Sequence, residues 1–468
     1  MIQEKKLQID NDAIAAIATA SGQGGIGIVR ISGANAKEIL HRVFLPFAKE
    51  ELDENNAMLS HRVYYGKIIG TYGEVLDRAI GIFMAGPKSY TGEDVAELQC
   101  HGGAKLLQAV LKLVLQSGAR LATPGEFTMR AFLNGKLDLT QAEAVADVID
   151  AKTDISLSLS QAQLGGSLSQ QFTDIEQQLL DLIASIEVGI DFPEDEDALS
   201  TEFAELGLQS LMQKLDEILA GARTGRIYRE GLRCVLIGEV NVGKSSLFNA
   251  LLEQERAIVT DIAGTTRDTI EEYIDLDGIP LQLIDTAGLR ETDEKVEALG
   301  IERSRRQAES AQLLLLLIDG SRALSEESRA LLKEYRDSQP LIVLTKADLP
   351  SEEETEKELL QYAPQERLCA ISARSGKGMQ ELKKLIKSSS VGVDKPREGL
   401  INNIRHEQAL FEVRQMLGEA YSALMSGMSI DLLGIDLMNA YQKLGEITGK
   451  TAGEEVINNI FAKFCLGK

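Results

Sequence analysis

The clearest chemistry in the chain lies in GEVNVGKS, Gly238 to Ser245, which follows the apolar run Leu232 to Ile237 and precedes the helical stretch SLFNALLEQ. Strand, glycine-rich loop and helix in that order make a P-loop, whose backbone N–H groups curl around phosphate oxygens at a helix N-terminus. Asn241, Val242, Gly243 and Ser246 would line this cradle, Lys244 would neutralise the β- and γ-oxygens, and the Ser245 hydroxyl would ligate magnesium. Downstream, DTAG (Asp285, Thr286, Ala287, Gly288) ends the run LQLID and sets a carboxylate near the metal and a glycine amide near the γ-phosphate. TKAD (Thr345, Lys346, Ala347, Asp348) ends the run LIVLT, where the Asp348 carboxylate can accept both the ring N–H and the exocyclic amino group of guanine. Adenine offers no such donor pair, so GTP is the expected nucleotide, with SAR (Ser372, Ala373, Arg374) as a loop against the base. Each short motif is weak alone; in this order after a P-loop they are strong.

Hydrolysis needs a positioned water and neutralised charge. The residue after DTAG is Leu289, where many small GTPases carry a glutamine that orients this water. A nearby carboxylate and an added cation are therefore expected. Asn241 offers a neutral oxygen for a monovalent ion beside the phosphates; a loop-stabilising hydrogen bond is its alternative role.

Such residues must be held at strand ends. The runs CVLIG, LQLID, LLLLLIDG and LIVLT alternate with helical stretches, the pattern of a doubly wound α/β domain. Earlier, Ile26 to about Ala119 alternates short apolar runs with glycine turns and contains a helical stretch, Gly103 to Leu115, which reads as a mixed α/β domain. GQGGIG (22–27) formally matches a dinucleotide fingerprint, but a strand-like run follows it, so it reads as a turn between strands. From Thr140 to about Ala222 the pattern is helical and opens on a capping box, Thr140 and Glu143. A second helical tract from about His406 repeats apolar residues every three or four positions (Leu410, Val413, Leu417, Tyr421, Leu424). A tract so short struggles to bury a core alone, so the two should pack as one discontinuous bundle with the doubly wound domain inserted between them. The expected fold class is multidomain α/β plus α. It comprises an N-terminal mixed α/β domain (1–125), the first segment of a helical domain (126–226), the inserted P-loop domain (227–386) and the second segment of the helical domain (387–468). Acidic runs at 191–197 and 351–358 read as solvated segments.

With 72 acidic and 49 basic residues among 468, the net charge is −23, which argues against a protein that coats nucleic acid through counterion release. The four cysteines form no CxxC pair, so a reducing compartment and no structural zinc are expected. The strongest apolar run, Leu313 to Ile318, is far short of the ~18 residues of a membrane span. Ala13 to Ala20 imitates a signal-peptide core, but Asp10 and Asp12 stand where a basic flank should lead into it.

The set GEVNVGKS, TDIAGTTRD (260–268), DTAGLRETDEKVE (285–297), TKAD and SAR resembles the MnmE (TrmE) family of tRNA-modification GTPases. VRISG (29–33), SYTGEDVAELQCHGG (89–103), TPGEFTMRAFLNGKLDLTQAEA (123–144) and FCLGK (464–468) extend the resemblance over essentially the whole chain. It implies a potassium-stimulated cytoplasmic GTPase that forms a homodimer through a folate-binding N-terminal domain and works with an FAD-dependent partner, MnmG (GidA). Together they would add an aminomethyl-type group at C5 of the wobble uridine of tRNA, using a tetrahydrofolate one-carbon unit in its 5-formyl or methylene form. By motif match, Asn241, Thr260, Ile262 and Thr265 surround potassium, Ser245 and Thr266 hold magnesium, and Asp261, Ala263 and Gly264 join the GTP site. Glu297 would organise the attacking water, supplying what Leu289 lacks. Arg30, Glu97, Lys136 and Lys468 would face the folate, where a carboxylate suits the pterin's N–H donors and basic groups suit the glutamyl tail. Cys465 would lie nearby, as a one-carbon participant or an incidental thiol.

Two positions depart from the family pattern: Thr345 stands where asparagine is commoner, and Val240 replaces a frequent proline. The acidity leaves the phosphate contacts of tRNA to the basic stretch RTGRIYREGLR (223–233) or to the partner. Two alternatives remain at this point: a regulatory P-loop switch of the ribosome-assembly type, and a folate-dependent transferase with a vestigial nucleotide domain.

Overall fold

The computed structural model describes residues 12–20, 22–48, 52–54, 57–191, 201–254, 271–285, 305–350, 353–390, 399–427 and 430–468. Two compact units emerge: residues 1–146, 163–194 and 429–468 form one, and residues 147–162 and 195–428 the other. A mixed α/β N-terminal region, helices drawn from two separated tracts and an inserted doubly wound sheet are all present, as the sequence leads one to expect.

The first unit is built on a seven-stranded sheet. Its strands are β1 (Ile14–Ile17), β2 (Gly24–Ser32), β3 (Phe44–Pro46), β4 (Arg62–Ile69), β5 (Val75–Met84), β6 (Val95–Gly102) and β7 (Arg120–Leu121), in the spatial order β3-β4-β5-β6-β2-β1-β7. Alternation assigns the faces: Val29, Ile31, Leu98 and Cys100 pack on helices Ala36–Val43 and Ala104–Gln116, while Ile28, Arg30 and Glu97 point the other way. That second face carries Val63 and Tyr65 at 60% and 56% exposure. The signal-like Ala13–Ala20 is thus largely the buried strand β1, and GQGGIG leads into β2 with no helix behind it. Helix Ser167–Asp191 packs along helix Ile430–Thr448, burying Phe172, Leu179 and Ile186 from one and Leu433, Leu437 and Leu444 from the other. Lys450 bonds Glu176 beside that seam.

One feature corrects the sequence reading of where the helices begin. Helix Leu139–Asp150 is capped by Asp138, whose carboxylate accepts from the Gln141 amide (2.9 Å) while Gln141 Oε1 accepts from the Asp138 amide (3.0 Å). This reciprocal pair is the capping box; Thr140 and Glu143 are already inside the helix, both buried.

The second unit holds a six-stranded sheet of β8 (Leu232–Gly238), β9 (Glu271–Leu276), β10 (Ile279–Asp285), β11 (Leu313–Asp319), β12 (Leu341–Thr345) and β13 (Leu368–Ala370), in the order β13-β12-β11-β8-β10-β9. All neighbours are parallel except β9, which forms a hairpin with β10. Central strands buried on both faces need unbroken apolar runs, and β11 (LLLLLID) is buried at every position. The β9–β10 turn is held from outside: Gly278 O accepts from Thr153 Oγ1 at 2.8 Å, and an added Cβ at Gly278, where φ is +89°, would collide with Ile155. Helix Thr201–Ala220 lies along helix Ile404–Met425, tied by Arg414 to Asp216 at 2.9 Å and Gln209 to Tyr421 at 2.9 Å. The acidic run at 351–358 is not simply solvated. Helix Glu353–Leu359 occupies most of it, Thr355 is buried and Glu358 pairs with Arg329 at 2.6 Å.

Candidate functional site

Parallel strands β8, β11 and β12 are neighbours, so their C-terminal ends share one edge, where ligands of doubly wound sheets bind. From β8 the chain turns through Glu239 to Gly243 into helix Lys244–Gln254. Asn241 adopts φ +62° and Gly243 φ +108°, the left-handed excursions that turn successive amides inward. Lys244 is buried and its Nζ donates to the carbonyl oxygens of Gly238 (2.5 Å) and Glu239 (2.9 Å). Burial pushes its ammonium down, and the charges of Asp285, Glu327 and Glu239 offset this only partially. Ser245 Oγ donates to Asp285 Oδ2 at 3.3 Å, so a hydroxyl and a carboxylate converge as hard oxygen donors of the kind magnesium takes. Asn241, Ser245 and Ser246 are at this edge, and Val242 is buried beneath it.

Thr345 proves to be a structural tie. Its hydroxyl donates to the P-loop carbonyl of Val242 at 2.7 Å, joining the base-side strand to the phosphate loop. Beyond it, Lys346 takes φ +60° and Asp348 is exposed. A hydrogen bond from Ser372 and the nearby Arg374 and Lys377 hold the Asp348 carboxyl below its ordinary range, as an acceptor for two donors should be. Ala347 N donates to Ile371 O at 2.9 Å, which seats TKAD against the SAR loop; Ala373 is half-buried and Arg374 exposed. A cavity of about 140 Å³ opens behind this loop, lined by Gly320, Thr345, Lys346, Ala347 and Lys377 among others. Asp348 and Ser372 are not among its lining residues. Thr260, Asp261, Ile262, Ala263, Gly264, Thr265, Thr266, Thr286, Ala287, Gly288 and Glu297 lie outside the described residues.

In the first unit, Arg30 on β2 and Glu97 on β6 are direct cross-strand partners, with Nε to Oε1 at 2.9 Å. The Arg30 guanidinium also lies 5.6 Å from the Tyr90 ring centre and 5.8 Å from that of Phe127. The Phe127 amide donates to Lys468 O at 3.1 Å, and Tyr90 OH bonds Thr128 Oγ1 at 2.8 Å. Lys136 Nζ donates to Pro87 O at 3.1 Å, at the base of the loop that carries Tyr90. Arg30, Glu97 and the Lys468 backbone therefore gather around Phe127, with Lys136 at the margin. Tyr90 and Phe127 are the residues that charge-based reading misses; their signal is an aromatic within each of two glycine-bearing segments, SYTGE and TPGEF. Cys465 is exposed with a free thiol.

Behind this cluster the buried Arg130 guanidinium binds Asp12 (2.8 Å), Glu93 (3.2 Å) and Glu126 (3.0 Å), and Arg120 adds bonds to Asp12 (2.5 Å) and Glu126 (2.6 Å). These bonds anchor the 89–93 loop and helix Glu126–Leu133 to β1. Burial pushes the Glu126 carboxyl up, yet bonds from Arg120, the Thr123 amide and Arg130 outweigh it and hold the carboxyl at about 2.

The family model described as the MnmE helical domain matches residues 139–465, and that described as the GTP-binding protein TrmE N-terminus matches residues 13–136. The tRNA modification GTPase MnmE of Symbiobacterium thermophilum is 46% identical over 461 residues, covering 98% of this chain and 99% of that relative. Its counterpart in Clostridioides difficile is 43% identical over 467 residues, with 98% and 99% covered. Among solved structures, the G domain of the T. maritima FeoB iron transporter aligns at 26% identity with 34% of this chain and 98% of its own, with a TM-score of 0.26. On the two family models and the full-length identity, the chain belongs to the MnmE (TrmE) family of tRNA modification GTPases.

Proposed function

We propose that the chain binds and hydrolyses GTP and couples this to tRNA modification: with an FAD-dependent partner of the MnmG type, it adds an aminomethyl-type group at C5 of wobble uridine. The observation that carries the nucleotide reading is the meeting of Lys244, Ser245, Asp285 and Thr345 at one strand edge, with Asp348 kept ionised beside it. Lys244 neutralises phosphate charge, P-loop amides orient the oxygens, and Asp348 selects guanine by accepting two donors. Ser245 and Asp285 converge as hard oxygen donors that fit magnesium; with Thr266 they would hold it, and it would supply positive charge against the phosphates. Asn241, left-handed and exposed at this edge, is assigned as a potassium ligand together with Thr260, Ile262 and Thr265. Glu297 is assigned to hold the attacking water.

The folate reading rests on Arg30 and Glu97. A paired carboxylate, two aromatic faces and a guanidinium suit a pterin with an anionic tail, and Lys136 and Lys468 add charge for that tail. A one-carbon unit carried there, in the 5-formyl or methylene form, would supply the added carbon. Homodimer formation is supported by the open sheet face: Val63, Tyr65, Leu45 and Phe47 leave apolar surface exposed beside Ile82, the strand neighbour of Glu97. Arg226 and Arg229 of the basic stretch are engaged by Glu407 (3.3 Å) and Asp147 (2.7 Å), which leaves most tRNA phosphate contact to the partner protein. The proposed site of action is the cytoplasm, and the four segments 1–125, 126–226, 227–386 and 387–468 are the proposed functional divisions.

The test is mass spectrometry of tRNA nucleosides from cells carrying Lys244→Ala or Arg30→Ala in the full chain. Loss of the modified wobble uridine in both supports the coupled reading. Normal modification with Lys244→Ala overturns the coupling, and normal modification with Arg30→Ala overturns the folate assignment.

A further inference from the structure

Within the second unit, a chain of alternating charges runs from the phosphate loop to the base-side loop. Glu239 follows β8 directly and its side chain is buried. It accepts from Arg322 Nη2 at 2.8 Å and from the hydroxyls of Ser325 and Ser328. Ser325 is the N-cap of helix Glu326–Glu334, so the Glu239 carboxylate also lies against the positive end of a helix dipole. On its other side, Arg322 Nε stands 3.3 Å from Asp319 Oδ2, and that oxygen accepts from Lys346 Nζ at 2.6 Å. Asp319 ends β11, the parallel neighbour of β8, so the two acids project from adjacent strand ends. Both acids are less than a tenth exposed, whereas Arg322 is about half exposed.

The motif chemistry calls for no acid in the phosphate loop. A glutamate there opposes a triphosphate unless a cation neutralises it, and removing one partner from a buried pair leaves the other uncompensated. We propose that Arg322 is a positioning residue for nucleotide binding: by bridging Glu239 to Asp319 it fixes the phosphate loop relative to Lys346 and keeps two buried carboxylates from repelling the phosphates. This role rests on the GTP reading above and adds to it a residue outside every nucleotide motif. Burial raises both carboxyls; bonds from Ser325 and Ser328 and the charge of Arg322 hold Glu239 below its ordinary range, while Lys346 and Ser321 do the same for Asp319.

The experiment is equilibrium binding of a fluorescent GTP analogue to the full chain and to Arg322→Met, Arg322→Lys, Glu239→Gln and the Glu239→Gln/Arg322→Met double variant, with turnover measured alongside. Arg322→Met is expected to weaken binding about tenfold and to raise KM with kcat little changed. Arg322→Lys should recover some of the loss, and the double variant should bind more tightly than Arg322→Met, because it removes the stranded carboxylate. A merely structural role predicts that two lesions are at least as damaging as one. Binding by Arg322→Met within twofold of the unaltered chain, or a double variant no better than Arg322→Met, overturns the assignment. No binding by the unaltered chain sinks the GTP reading itself, and Arg322's role with it.

Discussion

At the scale of single residues, Asp348 is the proposed selector of the base. Exchanging its carboxylate for the amide in Asp348→Asn swaps an acceptor for a donor, so GTP affinity should fall at least ~100-fold while xanthosine triphosphate gains. Competition binding with the two nucleotides reads this directly. Glu297→Ala is expected to keep GTP affinity and slow hydrolysis ~100-fold or more; unchanged turnover would move the water-positioning role elsewhere. Turnover should also be several-fold faster in potassium than in sodium at equal ionic strength, and equal rates would remove Asn241 from an ion site. Asp348 and Asn241 fall within motifs whose residue types and spacings phosphate and guanine chemistry dictate, whereas Glu297 rests on the family resemblance alone and lies outside the described residues. Thr345 is legible in place but not in role: a string of letters marks it as a missing asparagine, and only the fold shows its hydroxyl on Val242 O. Tyr90 and Phe127 escape notice because an aromatic carries no charge signal, and their meeting with Arg30 depends on strands far apart in the chain.

Elements come next, and their lessons concern where helices and strands begin and what pins them. β8, β10, β11 and β12 announce themselves as apolar runs, whereas β9 (EEYIDL) is an acidic edge strand and β13 has three residues, too few to show a period. The capping box lies two positions earlier than the sequence suggests, because Thr140 and Glu143 fit the same spacing as Asp138 and Gln141; the buried Thr140 shows which pair stands at the helix start. Helix Glu126–Leu133 is fixed through Glu126, whose carboxyl is depressed from the usual 4.5 to about 2. A depressed acid contributes stability that is complete above its unfolded pKa and is lost as pH falls through its folded one. The N-terminal unit should therefore lose on the order of 2 kcal/mol between about pH 4.5 and 2 through this group. Glu126→Gln, followed by acid titration of circular dichroism, should flatten that stretch of the curve. At the β9–β10 turn, Gly278→Ala combines a left-handed φ with a clash on Ile155, and a loss of roughly 2–3 kcal/mol in urea unfolding is expected.

For the molecule as a whole, the division of the chain is as informative as either sheet. The sequence leads one to expect a helical tract from about His406, too short to stand alone, packed with the 140–222 helices as one bundle; the structure instead divides these helices between its two units, Ser167–Asp191 lying with Ile430–Thr448 and Thr201–Ala220 with Ile404–Met425. What cannot be read is which helix goes with which, since every apolar stripe looks alike in one dimension. The pairing has a consequence for synthesis. Residues 195–428 can complete their unit while the ribosome is still at work, but the unit begun first is finished last, because it waits for residues 429–468. At ~5–20 residues per second, the oily flank of Ser167–Asp191 stands bare for roughly 12–50 s until its mate emerges. Nascent chains halted before residue 430 should thus yield to protease in their opening portion while the middle resists, and a folding helper that shields this flank would raise the output of intact enzyme.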